Sequence, residues 1–231
     1  MIELINLKKS FGKKIITDDL NLKINNGDFI TIIGRSGVGK SVLLKQIIGL
    51  ITPDSGQVII DGIDTTKLKG LKKQEIYKQC GYVFQFAALL DSLNVLQNIG
   101  ITEIEKGTPF KKIEDKVIEK IQSVGLKIDV LKKFPDELSG GMKKRVGLAR
   151  TLMLSPNILL FDEPTTGLDP ITTRLIHELI KETHEKLNAT TIVISHDIEI
   201  FKYAKNVGML HDGKIVYKGP TQTIWESENP Y

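Results

Sequence analysis

Hydrophobic positions along this chain switch between two spacings, and the switch points divide it into strands and helices. Near the start, Leu20, Leu22 and Ile24 alternate with Asn21 and Lys23, the two-residue period of a half-buried strand. Asn26-Gly27-Asp28 then turns the chain into the apolar run Phe29 to Ile33, which reads as a buried strand. Val58 to Ile60, ending in Asp61-Gly62, and Gly81 to Phe84, delivering Gln85 at its end, read as further strands. Ile158 to Phe161 and Thr191 to Ile194 are buried strands, and Asp212-Gly213 between Val207 to Leu210 and Lys214 to Tyr217 is a hairpin signal. These pieces predict a small antiparallel sheet beside a parallel one.

Helical spacing takes over elsewhere. Val42 to Leu50 follows the first buried strand as an apolar helix, Lys67 to Lys78 is a basic helix, and Pro220 to Trp225 starts a last short one. Ile113, Val117, Ile121 and Val124 recur at helical spacing, with Gly125 as the stop and Lys106-Gly107-Thr108-Pro109 as a loop before them. Met142, Val146, Ala149 and Met153 form another apolar face, which Pro156-Asn157 ends, and Ile176, Leu179, Ile180 and Leu187 a third. Residues 86–150 read as a helical insert into an α/β domain formed by 1–85 and 151–231.

Composition narrows the picture modestly. A chain of 231 residues can bury one substantial core without disulfide or metal. The single cysteine, Cys80, has no partner within the chain, and no Cys and His cluster has zinc-ligand spacing, which suits a reducing, cytosolic compartment. A net charge of +4 suits an anionic membrane surface, a nucleotide or a nucleic acid without choosing among them. No apolar run approaches the ~18 to 20 residues of a membrane span, and Met1-Ile-Glu-Leu4 is unlike a signal peptide. The chain is therefore expected to reach a membrane only through a separate protein. No internal repeat or low-complexity tract is present.

The chemistry gathers where strands end. Gly34-Arg-Ser-Gly37-Val-Gly39-Lys40-Ser41 fits the P-loop spacing between a strand and a helix. There glycine lets successive N–H groups and the positive helix end close on a polyphosphate. Lys40 would reach the terminal phosphates and Ser41 would give its hydroxyl to Mg²⁺. Asp162 and Glu163 end a buried strand, where charges need partners or work; beside a triphosphate, Asp162 can hold Mg²⁺ through water and Glu163 can act as general base. His196 stands at the same strand-end rim, placed for a phosphate. Ser139-Gly140-Gly141 caps a helix and makes a second anion cradle. One nucleotide seldom needs two distant helix N-termini, so this cradle points to a nucleotide held by another copy. Asp169 reads as the N-cap of a helix begun by Pro170. Phe11, in the turn-rich stretch Lys9 to Gly12, is either a core aromatic or a platform for adenine.

Taken together, in this order, the motifs resemble the ATP-binding subunit of ABC transporters over essentially the whole chain. The resemblance implies a P-loop NTPase, RecA-like core with an antiparallel β subdomain and an inserted α-helical subdomain. It makes Phe11 the A-loop aromatic, Gln85 the Q-loop residue, Leu138 to Met142 the signature, Ile158 to Asp162 the Walker B strand, Asp169 the D-loop aspartate and His196 the switch histidine. The implied catalytic set is Lys40, Gln85, Glu163 and His196. The implied nucleotide contacts are Phe11, Ile16, Gly34, Arg35, Ser36, Gly37, Val38, Gly39, Lys40, Ser41, Val42, Ser139, Gly140, Gly141 and Asp169; the implied Mg²⁺ holders are Ser41, Gln85 and Asp162. A head-to-tail homodimer sandwiching two ATP molecules is implied as well.

Within the family, the P-loop form through Leu44, Ala88-Leu89-Leu90, the run Met142 to Arg150 and Gly167 to Thr172 resemble the Mla-type, MlaF-like ATPases. Those work with an MlaE-like permease and an MCE protein to move phospholipids between envelope membranes. The resemblance implies a cytoplasmic subunit, peripheral on the inner membrane through its permease and binding no nucleic acid. A permease helix is expected at Phe86 to Leu90. Phe86-Ala87 departs from the Ser-Gly common in that branch, and the sequence ends at Asn229-Pro-Tyr231, near where relatives often carry an extension. A polar-solute importer of amino-acid type and a non-transporting envelope ATPase share the same catalytic residues and stay open as alternatives.

Overall fold

The computed structural model describes residues 1–226; Asn229-Pro-Tyr231 lies outside them. Two sheets organise the chain. In the antiparallel one, β1 (Ile2–Phe11) lies between β2 (Lys14–Ile24) and β4 (Ser55–Ile60), and β5 (Ile63–Asp64) hangs on the edge of β4. In the other the order is β10 (Lys214–Pro220), β9 (Asn206–His211), β3 (Phe29–Ile33), β8 (Thr190–Ile194), β7 (Ile158–Asp162), β6 (Cys80–Val83). From β9 to β6 neighbours run parallel, and β10 closes the edge as an antiparallel hairpin.

The apolar runs explain the layering. Ile158 and Leu160 of β7 pack, with Ile30, Ile32, Ile192 and Ile194, against α1 (Lys40–Ile47) and the inward face of the antiparallel sheet, where Leu20, Leu22 and Ile24 are buried as their alternation predicts. Leu159 and Phe161 face the other way, onto Ile176 and Ile180 of α6 (Pro170–Leu187) and the helices α3 (Val95–Glu105), α4 (Phe110–Ser123) and α5 (Gly140–Leu152). A strand covered on both sides has to be apolar at every position. Ile113, Val117, Ile121 and Val124 all enter this second core.

Helix ends are fixed by local chemistry. Asn94 and Gln97 form a capping box at α3, Ser139 Oγ accepts from Met142 N (3.3 Å) at α5, and Asp169 accepts from Thr172 N (3.0 Å) at α6. No helix among the described residues is long and apolar enough to cross a membrane.

Several expectations shift. Phe11 is no core residue: it ends β1 and is 50% exposed, because the strand runs on through Lys9 and Ser10 and the turn is Gly12-Lys13. The helix after the P-loop begins at Lys40 and stops at Ile47, where the N–H groups of Leu50 and Ile51 both fold back onto Lys45 O. α2 (Gly70–Lys78) starts three residues later than expected because Thr65–Lys67 form a separate 3-10 turn capped by Asp64. β6 covers Cys80–Val83, so Phe84 and Gln85 lie beyond the strand. α5 ends at Leu152, ahead of Pro156, and the last short helix is a 3-10 turn, Thr221–Glu226.

Candidate nucleotide site

Because β3, β8, β7 and β6 run parallel, their C-terminal ends share one rim, the place where open α/β sheets bind ligands. Residues 34–41, Asp162-Glu163, His196 and Gln85 all follow those ends. A cavity of about 510 Å³ opens there, lined by Lys14, Ile16, Ser36, Gly37, Gly39, Lys40, Ser41, Val42, Gln85, Glu163, Thr166 and His196. Gly39 (φ +109) belongs to its lining and Gly34 (φ +151) opens the loop outside it: a Cβ on Gly34 would stand 2.4 Å from Leu210 O, and one on Gly39 2.5 Å from Ile16 Cγ2. Only glycine lets the loop lie so close to β9 and β2.

Lys40 is only 6% exposed, and its ammonium donates to the carbonyls of Gly34 (2.7 Å) and Arg35 (3.2 Å) inside its own loop. Burial lowers its pKa, partly offset by Glu163, whose Oε1 is 3.9 Å from Nζ, and by Asp162. Lys14 reaches across from β2 to Gly37 O (3.3 Å). Ser41 Oγ donates to Asp162 Oδ1 (2.6 Å), and the buried Asp162 accepts Tyr82 OH on Oδ2 (2.7 Å). Glu163 adopts φ +50, a conformation that costs a non-glycine residue about 1–3 kcal/mol and that collects at functional sites. Its N–H still bonds Ile194 O (3.0 Å). His196 Nδ1 stands 2.5 Å from Glu163 Oε2, which also accepts from Thr166 Oγ1 (3.1 Å).

A second group assembles apart from this cavity's lining. A Cβ on Gly141 would stand 2.5 Å from Thr172 Cγ2, and one on Gly140 3.6 Å from Leu168, so the start of α5 lies against the start of α6 and Asp169. Ser139, Gly140, Gly141 and Asp169 therefore cluster with one another and not with the P-loop. Lys144 connects the groups: Nζ donates to Thr166 O (2.8 Å), three residues past Glu163, and burial pulls its pKa down to about 8, with Glu163 partly opposing. Phe11 and Arg35 are exposed outside the cavity lining, and Val38 packs against the core beside Gly34. Tyr82, Thr166, Lys144 and Lys14 escaped the sequence reading, since nothing in their spacing shows what the sheet register and loop packing bring together.

The donor set fits a hard cation. Among the described residues no group of three His, Cys, Asp or Glu could hold a metal alone. Ser41 hydroxyl, Asp162 carboxylate and Gln85 amide offer oxygens only, the set Mg²⁺ takes when water and phosphate complete its shell.

Comparisons with known proteins agree with this geometry. Residues 17–166 match the ABC transporter family. Over 99% of its length the chain is 41% identical to a probable ribonucleotide transport ATP-binding protein, mkl, of Mycobacterium leprae, covering 66% of that protein, slightly under two thirds of the relative's length. It is 37% identical over 99% of its length to the intermembrane phospholipid transport system ATP-binding protein MlaF of Haemophilus influenzae, covering 87% of it. It is also 39% identical over 97% of its length to the methionine import ATP-binding protein MetN of Carboxydothermus hydrogenoformans, covering 68% of it. The fold is similar to the dimeric bacterial ABC transporter cassette MJ0796, with a TM-score of 0.88 at 33% identity over 96% of this chain and 99% of that one. With the P-loop, the paired carboxylates and the histidine on one strand-end rim, this chain belongs to the ABC transporter family as one of its ATP-binding cassettes.

Proposed function

We propose that the chain hydrolyses ATP as the motor subunit of a transporter that moves phospholipids between envelope membranes, working as a homodimer with an MlaE-like permease and an MCE protein. The observation that carries the ATPase reading is the convergence on one cavity of Lys40, Glu163 and His196, with Glu163 held 2.5 Å from the histidine ring. Lys40 neutralises charge at the terminal phosphate end. Glu163 takes a proton from the attacking water as its oxygen bonds the γ-phosphorus and the bond to the bridging oxygen breaks, releasing ADP. His196 orients Glu163 and faces the transferring group. Mg²⁺ held at Ser41, Gln85 and Asp162 would supply charge neutralisation at the phosphate oxygens.

The separation of Ser139, Gly140, Gly141 and Asp169 from the P-loop cavity supports a two-copy arrangement, in which the cradle of one protomer closes on a nucleotide held by the other. Nucleotide binding then favours association and hydrolysis reverses it. The lipid reading rests on similarity to MlaF across 99% of the chain; the exposed Phe86 and Leu90 beyond Gln85 suit contact with an apolar permease surface.

The test uses a tagged Glu163→Gln protein extracted from its own membranes in mild detergent with ATP. Turnover is expected to fall by about 10²-fold or more, while ATP stays bound. Co-purification of a multi-span permease, an MCE protein and phospholipid supports lipid transport. A soluble solute-binding protein in their place would favour solute import, as in the MetN relative, and absence of any membrane partner would overturn the transport reading. Wild-type turnover would remove Glu163 from the mechanism.

A further inference from the structure

The carboxylate of Asp162 is held from two sides. Ser41 Oγ bonds Oδ1 at 2.6 Å, and Tyr82 OH bonds Oδ2 at 2.7 Å. Tyr82 lies on β6, which runs parallel to β7 with Tyr82 opposite Leu160. Tyr82 and Leu160 both pack on the core beneath the antiparallel sheet, and strand alternation puts Asp162 on that same face. The phenol reaches along the sheet surface to the oxygen that Ser41 leaves free. Its ring packs against that of Phe84, with centroids 4.5 Å apart. Phenylalanine or methionine would fill the same space, so the hydroxyl is the part that packing does not explain.

We propose that Tyr82 is a positioning residue for the divalent-cation site, locking the Asp162 carboxylate in the orientation that turns its other oxygen toward Ser41. This rests on the reading of Ser41 and Asp162 as cation holders. An aspartate free to rotate about its terminal torsion offers a cation two interchangeable oxygens in a broad range of directions. One whose outer oxygen accepts a fixed phenol has a single orientation, and partners of this kind tune metal affinity as strongly as some ligands do.

The experiment is a binding measurement in the Glu163→Gln background, where turnover does not intrude. Affinity for a fluorescent ATP analogue is titrated in EDTA and at rising Mg²⁺, and Mn²⁺ binding is followed in parallel by electron paramagnetic resonance. Tyr82→Phe is expected to raise the Mg²⁺ concentration for half-maximal effect about tenfold or more, the scale for loss of such a partner, with affinity in EDTA unchanged within about twofold. Tyr82→Met, which also lacks the donor, gives the same comparison should the Phe variant fold poorly. A half-maximal Mg²⁺ within twofold of the parent overturns the inference, as does an equal loss of affinity with and without Mg²⁺, which would reduce Tyr82 to packing. Ser41→Ala and Asp162→Asn are measured alongside. If they lose the Mg²⁺ effect while Tyr82→Phe keeps it, the inference about Tyr82 fails alone. If they keep it, the cation reading itself fails and takes the inference with it.

Discussion

Arg150 in the last turn of α5 holds the loop that follows Gln85. Its Nη1 donates to Ala88 O (2.7 Å) and its Nη2 to Ala87 O (2.9 Å). A Cβ on Gly147, one turn earlier, would stand 3.2 Å from Ala87 O, so the loop lies flat on the helix. Burial lowers the guanidinium pKa but leaves it charged, since arginine does not deprotonate in proteins. Hydrogen bonds from a charged donor contribute about 1.5–3 kcal/mol each, and an ordinary one about 0.5–1.5. Ala88 is exposed, so water can replace the fork at its carbonyl and that bond is counted at the low end. Arg150→Met is then expected to cost about 2–4 kcal/mol, a fall in Tm of roughly 5–15 °C for a chain of this size. Arg150→Lys, with one ammonium for two carbonyls, should lose about half as much. The assays are urea unfolding and amide hydrogen exchange across 85–90, which should quicken in the Met variant more than elsewhere. ATP turnover should fall by more than the unfolded fraction explains, because Gln85 lies two residues before Ala87. Stability within about 0.5 kcal/mol of the parent and unchanged exchange at 86–90 would refute the clamp.

Two further outcomes follow from the geometry. Gly39→Ala puts a Cβ 2.5 Å from Ile16 Cγ2 at φ +109, and should weaken binding of a fluorescent ATP analogue about tenfold or more as the loop shifts to relieve about 1–3 kcal/mol of strain; binding equal to the parent's would show that the loop adjusts freely. Lys144, pulled by burial from its ordinary 10.5 to about 8, binds a proton less readily in the folded protein than in the unfolded chain. Between those values the unfolded chain holds more protons, so stability rises with pH across that window and the penalty is complete only below it. The unfolding free energy of the parent relative to Lys144→Met should therefore increase from pH 7.5 to pH 10, read from paired urea midpoints, and a constant difference would contradict the burial of that ammonium.

Much of the architecture was legible in the one-dimensional pattern because burial leaves a periodic trace. Phe29–Ile33 was placed to the residue, and Leu20, Leu22 and Ile24 fell on the buried face their alternation requires. Boundaries moved where a turn competed with a helix or strand. The 3-10 turn at Thr65–Lys67 delays α2, and the carbonyl of Lys45 closes α1 before Leu50. Phe11 stays open between two readings for another reason: an aromatic in the last position of a strand, beside a turn, carries no periodic sign of which side faces water.

The same division holds at the site. Glycines that admit backbone approach, a lysine and serine after them, and carboxylates at the end of an apolar strand are chemical requirements written into consecutive residues. The P-loop, the Asp162-Glu163 pair and the two capped helix starts can therefore be read from residue order alone. What holds each of them comes from the packing of segments far apart in the chain. Tyr82 meets Asp162 across 80 positions, Lys144 meets Thr166 across 22, and Arg150 meets Ala87 across 63. Such contacts depend on strand order, on register and on the angle at which α5 crosses the loops, and these arise from how two cores close on the two faces of one sheet.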